Sequence, residues 1–271
     1  MLLRGLRKIM QITDHSKTPM IRENEAEMHR RWRRANFRGE IVPDRLGLVP
    51  LLIGLLGWLL LAREQLHWLL ALGYGILGFL DDQWGQQAPK GLRGHWRALL
   101  AGRPTTGLLK LIGGLILGLL IGSQLHAQPL WTPAVLLTGL MVALWANFYN
   151  LLDVRPGRAG VLFLMLALPC ALGLMLQGRQ SELSLLVGVT VGLLLVLPLD
   201  RAGKGMLGDT GSNLLGGTVG TALAIALPLW LQATLTLALL LFHLWAERHS
   251  LTDYIERHPL LRTLDRLTGT R

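Results

Sequence analysis

Long apolar runs alternate with short polar segments along most of the chain. The runs fall at 46–62, 66–80, 107–123, 131–149, 159–177, 183–199, 212–230 and 232–246. Each approaches the ~17–25 residues that cross a bilayer as an α-helix, and the second is the shortest. The pattern predicts an all-α, polytopic helical membrane protein of about eight transmembrane helices, with both termini on one side. The last two runs adjoin, so Pro228 and "LWLQAT" are expected to make the outer turn between them. Three stretches follow: a basic N-terminal segment (1–43), a transmembrane domain (44–247) and a basic tail (248–271).

Composition agrees. Of the 271 residues, 51% are hydrophobic and 16% charged, too little polar surface for a soluble domain of this length. Lysine and arginine orient the chain: 25 of the 27 lie on the side of the termini, leaving Arg63 and Arg179 in the opposite turns. By the positive-inside rule that side is cytoplasmic. The net charge of +10 is then a topology signal, and nucleic acid is not an expected partner. The single cysteine, Cys170, lies in an apolar run, where packing is its expected role. "MLLRGLRKIMQITDHSK" has neither a sustained apolar stretch nor a small-residue cleavage site, so no cleavable signal is expected.

Four polar clusters break the apolar pattern, and all map to the cytoplasmic side. They are "GFLDDQWG", "NFYNLLDVRPGRAG", "DRAGKGMLGDTGSN" and "ERHSLTDYIERHPLLRTLDRLTGTR". Asp81 and Asp82 are adjacent carboxylates whose repulsion and desolvation a cation would relieve. Asn150 and Asp153 share a helix face by their spacing, and Asn147 extends it by a turn. Asp209 lies in "GDTGS", where Gly208 lets a ligand approach the backbone, Ser212 is near the start of a span, and a helix N-terminus favours anions. An oxygen-only ligand set points to Mg²⁺, with Mn²⁺ the second choice. Lys90, Lys110, Arg158 and Lys204, with Arg93, Arg97, Arg103, Arg155 and Arg201, surround these carboxylates with positive charge. Carboxylates for a metal beside cations for phosphates suit phosphoryl transfer, with one substrate from the cytosol and one from the lipid.

The ordered set "GFLDDQWG", "NFYNLLD" and "MLGDTGSNLLGG", preceded by "NFRGEIVPDRLG", resembles the polyprenyl-phosphate N-acetylhexosamine-1-phosphate transferases over about residues 36–270. That family includes phospho-N-acetylmuramoyl-pentapeptide transferase and enzymes that start O-antigen and teichoic-acid linkage units. The resemblance implies transfer of a sugar-1-phosphate from a UDP-sugar to polyprenyl phosphate, with release of UMP, in the bacterial cytoplasmic (inner) membrane. It assigns Asp209, Asp153 and Asn150 to Mg²⁺ and nucleotide, and Asp81 and Asp82 to metal handling or activation of the lipid phosphate. Asn147, Lys90, Lys110, Arg158, Lys204, Gly208 and Ser212 complete the expected substrate site, and a homodimer is left open.

Departures mark a divergent member. Pro156 stands where many relatives have a further aspartate, and Met206 where an aromatic is common. "IERHPLLRTLDRLTG" occupies the place of a histidine-rich loop, and residues 1–35 are polar and basic where the family has its first span. The N-terminus is therefore read as cytoplasmic or interfacial, or as not the natural start. Two other functions stay open: a catalytically impaired scaffold or lipid-phosphate binder, and, less favoured, a transporter.

Overall fold

In lipid a chain must satisfy its own backbone, so the apolar runs have to form helices. The computed structural model describes residues 32–61, 65–85, 94, 100–102 and 105–270, and its helices follow the runs. They are α1 (Leu48–Leu61), α2 (Leu66–Trp84), α3 (Thr106–His126), α4 (Pro133–Leu152), α5 (Arg158–Leu176), α6 (Leu183–Arg201), α7 (Gly208–Ala226) and α8 (Leu229–Ala246). The protein is a polytopic helical membrane protein. Among the described residues, α3, α4, α5, α8 and α6 with its preceding 3-10 turn are long and apolar enough to cross a membrane unaided. α1 is apolar but shorter, and α2 and α7 carry too many polar groups to pass that test.

α7 explains its own composition. Every residue from Thr210 to Ala222 is buried, so the helix has no lipid face and sits in the middle of the bundle. α2 and α4 pack along it, with α5 beside them, while α3 bridges α2 and α4 and α1 pairs with α6. Small residues make these approaches close: Gly216 lies on the backbone of Trp145 and Ala146, and Gly217 lies on the ring of Tyr74. Leucines such as Leu168, Leu195 and Leu244 stay exposed on the outer helices, as a lipid-facing surface requires.

Three details differ from the sequence pattern. α2 continues to Trp84, so Asp81 and Asp82 occupy its last turn. The turn between α7 and α8 is Leu227–Pro228, ahead of "LWLQAT", because proline disfavours helix at the residue before it. The carbonyls freed at the end of α7 are taken by side chains: Gln232 binds Ala224 and Leu227, Arg179 binds Ile225 and Gln177 binds Ala226. Finally, two short strands join the helices. β1 (Arg33–Ala35) and β2 (Ile41–Pro43) form an antiparallel hairpin whose turn is held by Asn36, which accepts from the N–H groups of Arg38 and Glu40. The chain after β2 runs beside the 206–207 backbone, with Met206 N–H on Pro43 and Leu46 and Gly47 N–H on Met206 and Leu207. At the other terminus, α9 (Leu251–Arg257) and α10 (Pro259–Thr268) form a helical pair in the basic tail.

At the end of the bundle away from these additions, Glu182 accepts from Trp68 Nε1 at 3.1 Å and meets His67 Nε2 at 2.9 Å. Glu182→Gln removes the charge from this shared acceptor and should cost about 1–3 kcal/mol in thermal unfolding at neutral pH. Gly78→Ala should cost about 1–3 kcal/mol, because its Cβ would collide with the carbonyl of Asp209, which backbone cannot yield. Gly173→Ala, which opens onto empty space, should cost nothing; equal losses at the two positions would refute the close approach of α2 and α7.

Candidate active site

The site begins with two helix ends that face each other. The first turn of α7 leaves N–H groups without intrahelical partners. Asp82, in the last turn of α2, supplies them: Oδ1 accepts from Asp209 N–H at 3.0 Å, and Oδ2 from Thr210 N–H at 2.9 Å and Thr210 Oγ1 at 2.7 Å. The carboxylate is 1% exposed, and the positive end of the α7 dipole stabilises its charge. The helix N-terminus expected to receive an anionic ligand is thus already capped by an anion of the chain itself. Gly208 makes the turn into α7 with φ +70°, and a side chain there would meet Asp44 O and the Asp82 carboxylate.

Asp81, one residue earlier on α2, points to a different neighbour. Lys110 of α3 places Nζ 2.7 Å from Asp81 Oδ2 and 2.8 Å from Asp209 Oδ2. Asn150, near the end of α4, completes the group. Its neighbours orient the amide with nitrogen on Asp209 Oδ1 at 2.6 Å and Ser212 Oγ at 3.1 Å, and oxygen 3.3 Å from Lys110 Nζ. Asn213 Nδ2 donates to Asp209 O at 2.6 Å and steadies the same turn. Three oxygens from three helices therefore converge on one ammonium.

Asp153 caps the end of α4 and lines a neighbouring recess with Asn36, Phe37, Arg155, Asp200 and Met206. Burial first, then the charges of Asp200, Asp209 and Asp82, push its carboxyl well above the ordinary range, and a Gly208 hydrogen bond offsets only part of that. Asn147 lies one turn deeper on α4 and is partly exposed, Ser212 is buried beside Asn150, and Lys204 is exposed on the loop before α7. Lys90, with Arg93, Arg97 and Arg103, lies outside the described residues. Arg158 is not available as an open phosphate ligand: it is 4% exposed and binds Asp265 through Nε at 2.6 Å and Nη2 at 2.9 Å, with Thr252 on Nη1.

Sequence reasoning passed over Arg34, Asp44 and Asp200. Arg34 reaches from β1 to Asp44 Oδ2 at 2.9 Å and to the carbonyl of Asp82 at 2.9 Å, tying the hairpin to the site. No local signal marks that pair. Asp200 had one, a carboxylate ending an apolar run; it is buried and accepts from Gly157 N–H at 3.0 Å.

Among the described residues no three His, Cys, Asp or Glu side chains come together as a metal cage. The oxygens that accept from Lys110 are instead two carboxylates and an amide oxygen, all hard, and they already hold a cation at their focus. That chemistry suits Mg²⁺, which takes one or two carboxylates and fills its shell with water and substrate phosphates.

The sequence model described as glycosyl transferase family 4 matches residues 65–227, more than half of the chain. The chain belongs to glycosyl transferase family 4. The matched segment runs from the start of α2 through α7, so it holds Asp81, Lys110, Asn150, Asp153 and Asp209. The hairpin and the α9–α10 pair lie outside it. The chain is 31% identical over 169 residues to a phospho-N-acetylmuramoyl-pentapeptide-transferase from Pelotomaculum thermopropionicum, covering 55% of this chain and 50% of that relative. The chain thus spans about half the length of the curated relative it matches.

Adjacent aspartates with different partners should respond differently to the same substitution. Asp82→Asn places an NH₂ against backbone donors and should lower stability by about 1–3 kcal/mol in thermal unfolding. Asp81→Asn should change the midpoint much less, since Lys110 retains Asp209. Equal effects would contradict the division of roles.

Proposed function

We propose that the protein transfers a sugar-1-phosphate from a UDP-sugar to a polyprenyl phosphate, releasing UMP, at the cytoplasmic face of a bacterial inner membrane. An N-acetylhexosamine is the first candidate sugar, and a cell-envelope glycan the product's destination. The observation that carries this reading is the convergence of Asp81, Asp209 and Asn150 on Lys110 at one end of a membrane bundle. Membership of glycosyl transferase family 4 and the likeness to a phospho-N-acetylmuramoyl-pentapeptide-transferase support it.

Asp209, Asp81 and Asn150 would hold Mg²⁺, with Asp153 nearby on the nucleotide side. The ion would neutralise charge on the diphosphate, the main obstacle when one phosphate must approach another. Lys110 is the chain's own contribution to the same end. With its carboxylates shared by a metal, its ammonium is free to meet phosphate oxygens, and Lys204 on the neighbouring loop adds a second cation. The recess beside Asp153 is too small to enclose a nucleoside, and Phe37 and Met206 on its wall offer an apolar edge toward the nucleotide side. Asp82 then serves by position: it holds the backbone of Asp209 without touching substrate.

A phosphate monoester has its second pKa near 6, so the lipid phosphate arrives largely as a dianion. Its oxygen attacks the sugar-bearing phosphorus directly, and the bond from that phosphorus to the UMP oxygen breaks. No proton has to be removed first, so Asp81 acts as a charge organiser and not as an obligatory base.

The deciding assay is UMP release by purified protein given undecaprenyl phosphate and UDP-N-acetylglucosamine, followed by other UDP-sugars. Release should require both lipid and Mg²⁺, stop with chelator, and fall at least ~10²-fold in Asp209→Asn. A folded protein silent with every UDP-sugar would remove the transferase reading and leave a lipid-phosphate-binding scaffold.

A further inference from the structure

α10 carries a second surface. Leu260, Leu264 and Leu267 recur on one face of the helix, and each is more than half exposed. Asp265, the buried residue of this helix, faces the other way and grips Arg158 with both oxygens. At 3.6 residues per turn the leucine stripe lies roughly 130° from Asp265, so the bundle that receives Asp265 cannot cover the leucines. Arg262 and Arg266 occupy the remaining face, both exposed. They are the helix's only free charges, since its one acid is neutralised by Arg158.

Position and charge identify what covers this stripe. Residues 247–250 alone separate α9 from the end of α8, whose Leu237, Leu241 and Leu244 face outward on a membrane-spanning helix. The α9–α10 pair therefore emerges at the edge of the bilayer. A second copy of the chain is a poor fit: a stable interface takes ~800 Å² from each partner, and a ten-residue helix offers a stripe only ~15 Å long. Apolar residues on one side with arginine on the other are the pattern of a helix lying in the headgroup region of an anionic leaflet.

We propose that α10 is an interfacial anchor, with its leucine stripe in the acyl boundary and Arg262 and Arg266 on anionic headgroups. The anchor is tied to the bundle on its inner side. Arg158–Asp265 joins it to the start of α5, and Arg201 holds the carbonyls of Leu267 and Thr268 at 2.8 Å. These ties flank the loop that carries Asp153, so the lipid surface and the recess wall share one rigid connection.

The test uses the full chain, one copy per nanodisc of phosphatidylcholine and phosphatidylglycerol, with a nitroxide at Leu264→Cys or Arg262→Cys. The parent protein, whose Cys170 is buried, is the labelling blank. Power saturation should show oxygen collisions exceeding those of a water-soluble nickel chelate several-fold at position 264, and the reverse at 262. Changing Arg266 to Gln, or using phosphatidylcholine alone, should lower the oxygen preference at 264. Nickel access at 264 equal to that at 262 would place the helix in water and overturn the anchor. Exclusion of both reagents would put protein against the stripe and overturn it as well. An oxygen preference indifferent to anionic lipid would strike out the headgroup contacts. None of these readouts depends on the transferase reaction.

Discussion

A carboxylate buried at the end of one membrane helix and the exposed amides at the start of another form the joint around which this bundle is arranged. Asp82 satisfies the first N–H groups of α7, and the absence of a side chain at Gly78 lets α2 come near enough for it to do so. The cost of burying a charge is met by hydrogen bonds and the helix dipole, with the Arg34 guanidinium 4.0 Å from Oδ1 as a more distant counter-charge. With α7 seated in this way, Asp209 lies beside Asp81 and within reach of Lys110. The hairpin reinforces the joint from outside, because Arg34 binds the carbonyl of Asp82 while the chain after β2 lies along the 206–207 backbone.

The cluster around Lys110 solves an electrostatic problem. Two carboxylates brought together at a membrane surface repel and lose hydration, and an ammonium at 2.7 and 2.8 Å removes both penalties. A cation-binding arrangement is therefore part of the resting fold, built from the residues that the proposed chemistry would use. Moving the ammonium and replacing it with a harder cation changes the occupant without changing the sign of the charge at the focus.

Much of this was legible in the sequence, and the limits have physical causes. Apolar run length identified the helices, and the alternation of sides brought Asp81, Asn150 and Asp209 to one end before any contact was known. Asp81 and Asp82 were paired as equals because identity and adjacency do not say which neighbour each meets. On a helix they point about 100° apart, and only the packing of α2 against α7 and α3 separates a structural cap from a site residue. Arg158 misled for a similar reason: a cation beside "DVRPG" looks like a phosphate ligand until Asp265, more than a hundred residues away, is found on it. The β1–β2 hairpin was hidden by its arginines, which signalled topology so strongly that a short strand pair went unread.

The buried environment of α7 bears on how the protein is made. Its glycines and threonines suit close packing but give a segment that a translocation machinery would hold weakly, judged by hydrophobicity alone. Its principal neighbours, α2, α4 and α5, all precede it in the chain and so leave the ribosome first. The cavity into which α7 fits can be assembled before α7 is translated. Biogenesis would then include a late, templated insertion, in which the helix that carries Asp209 enters a slot prepared by the earlier spans and α8 follows it.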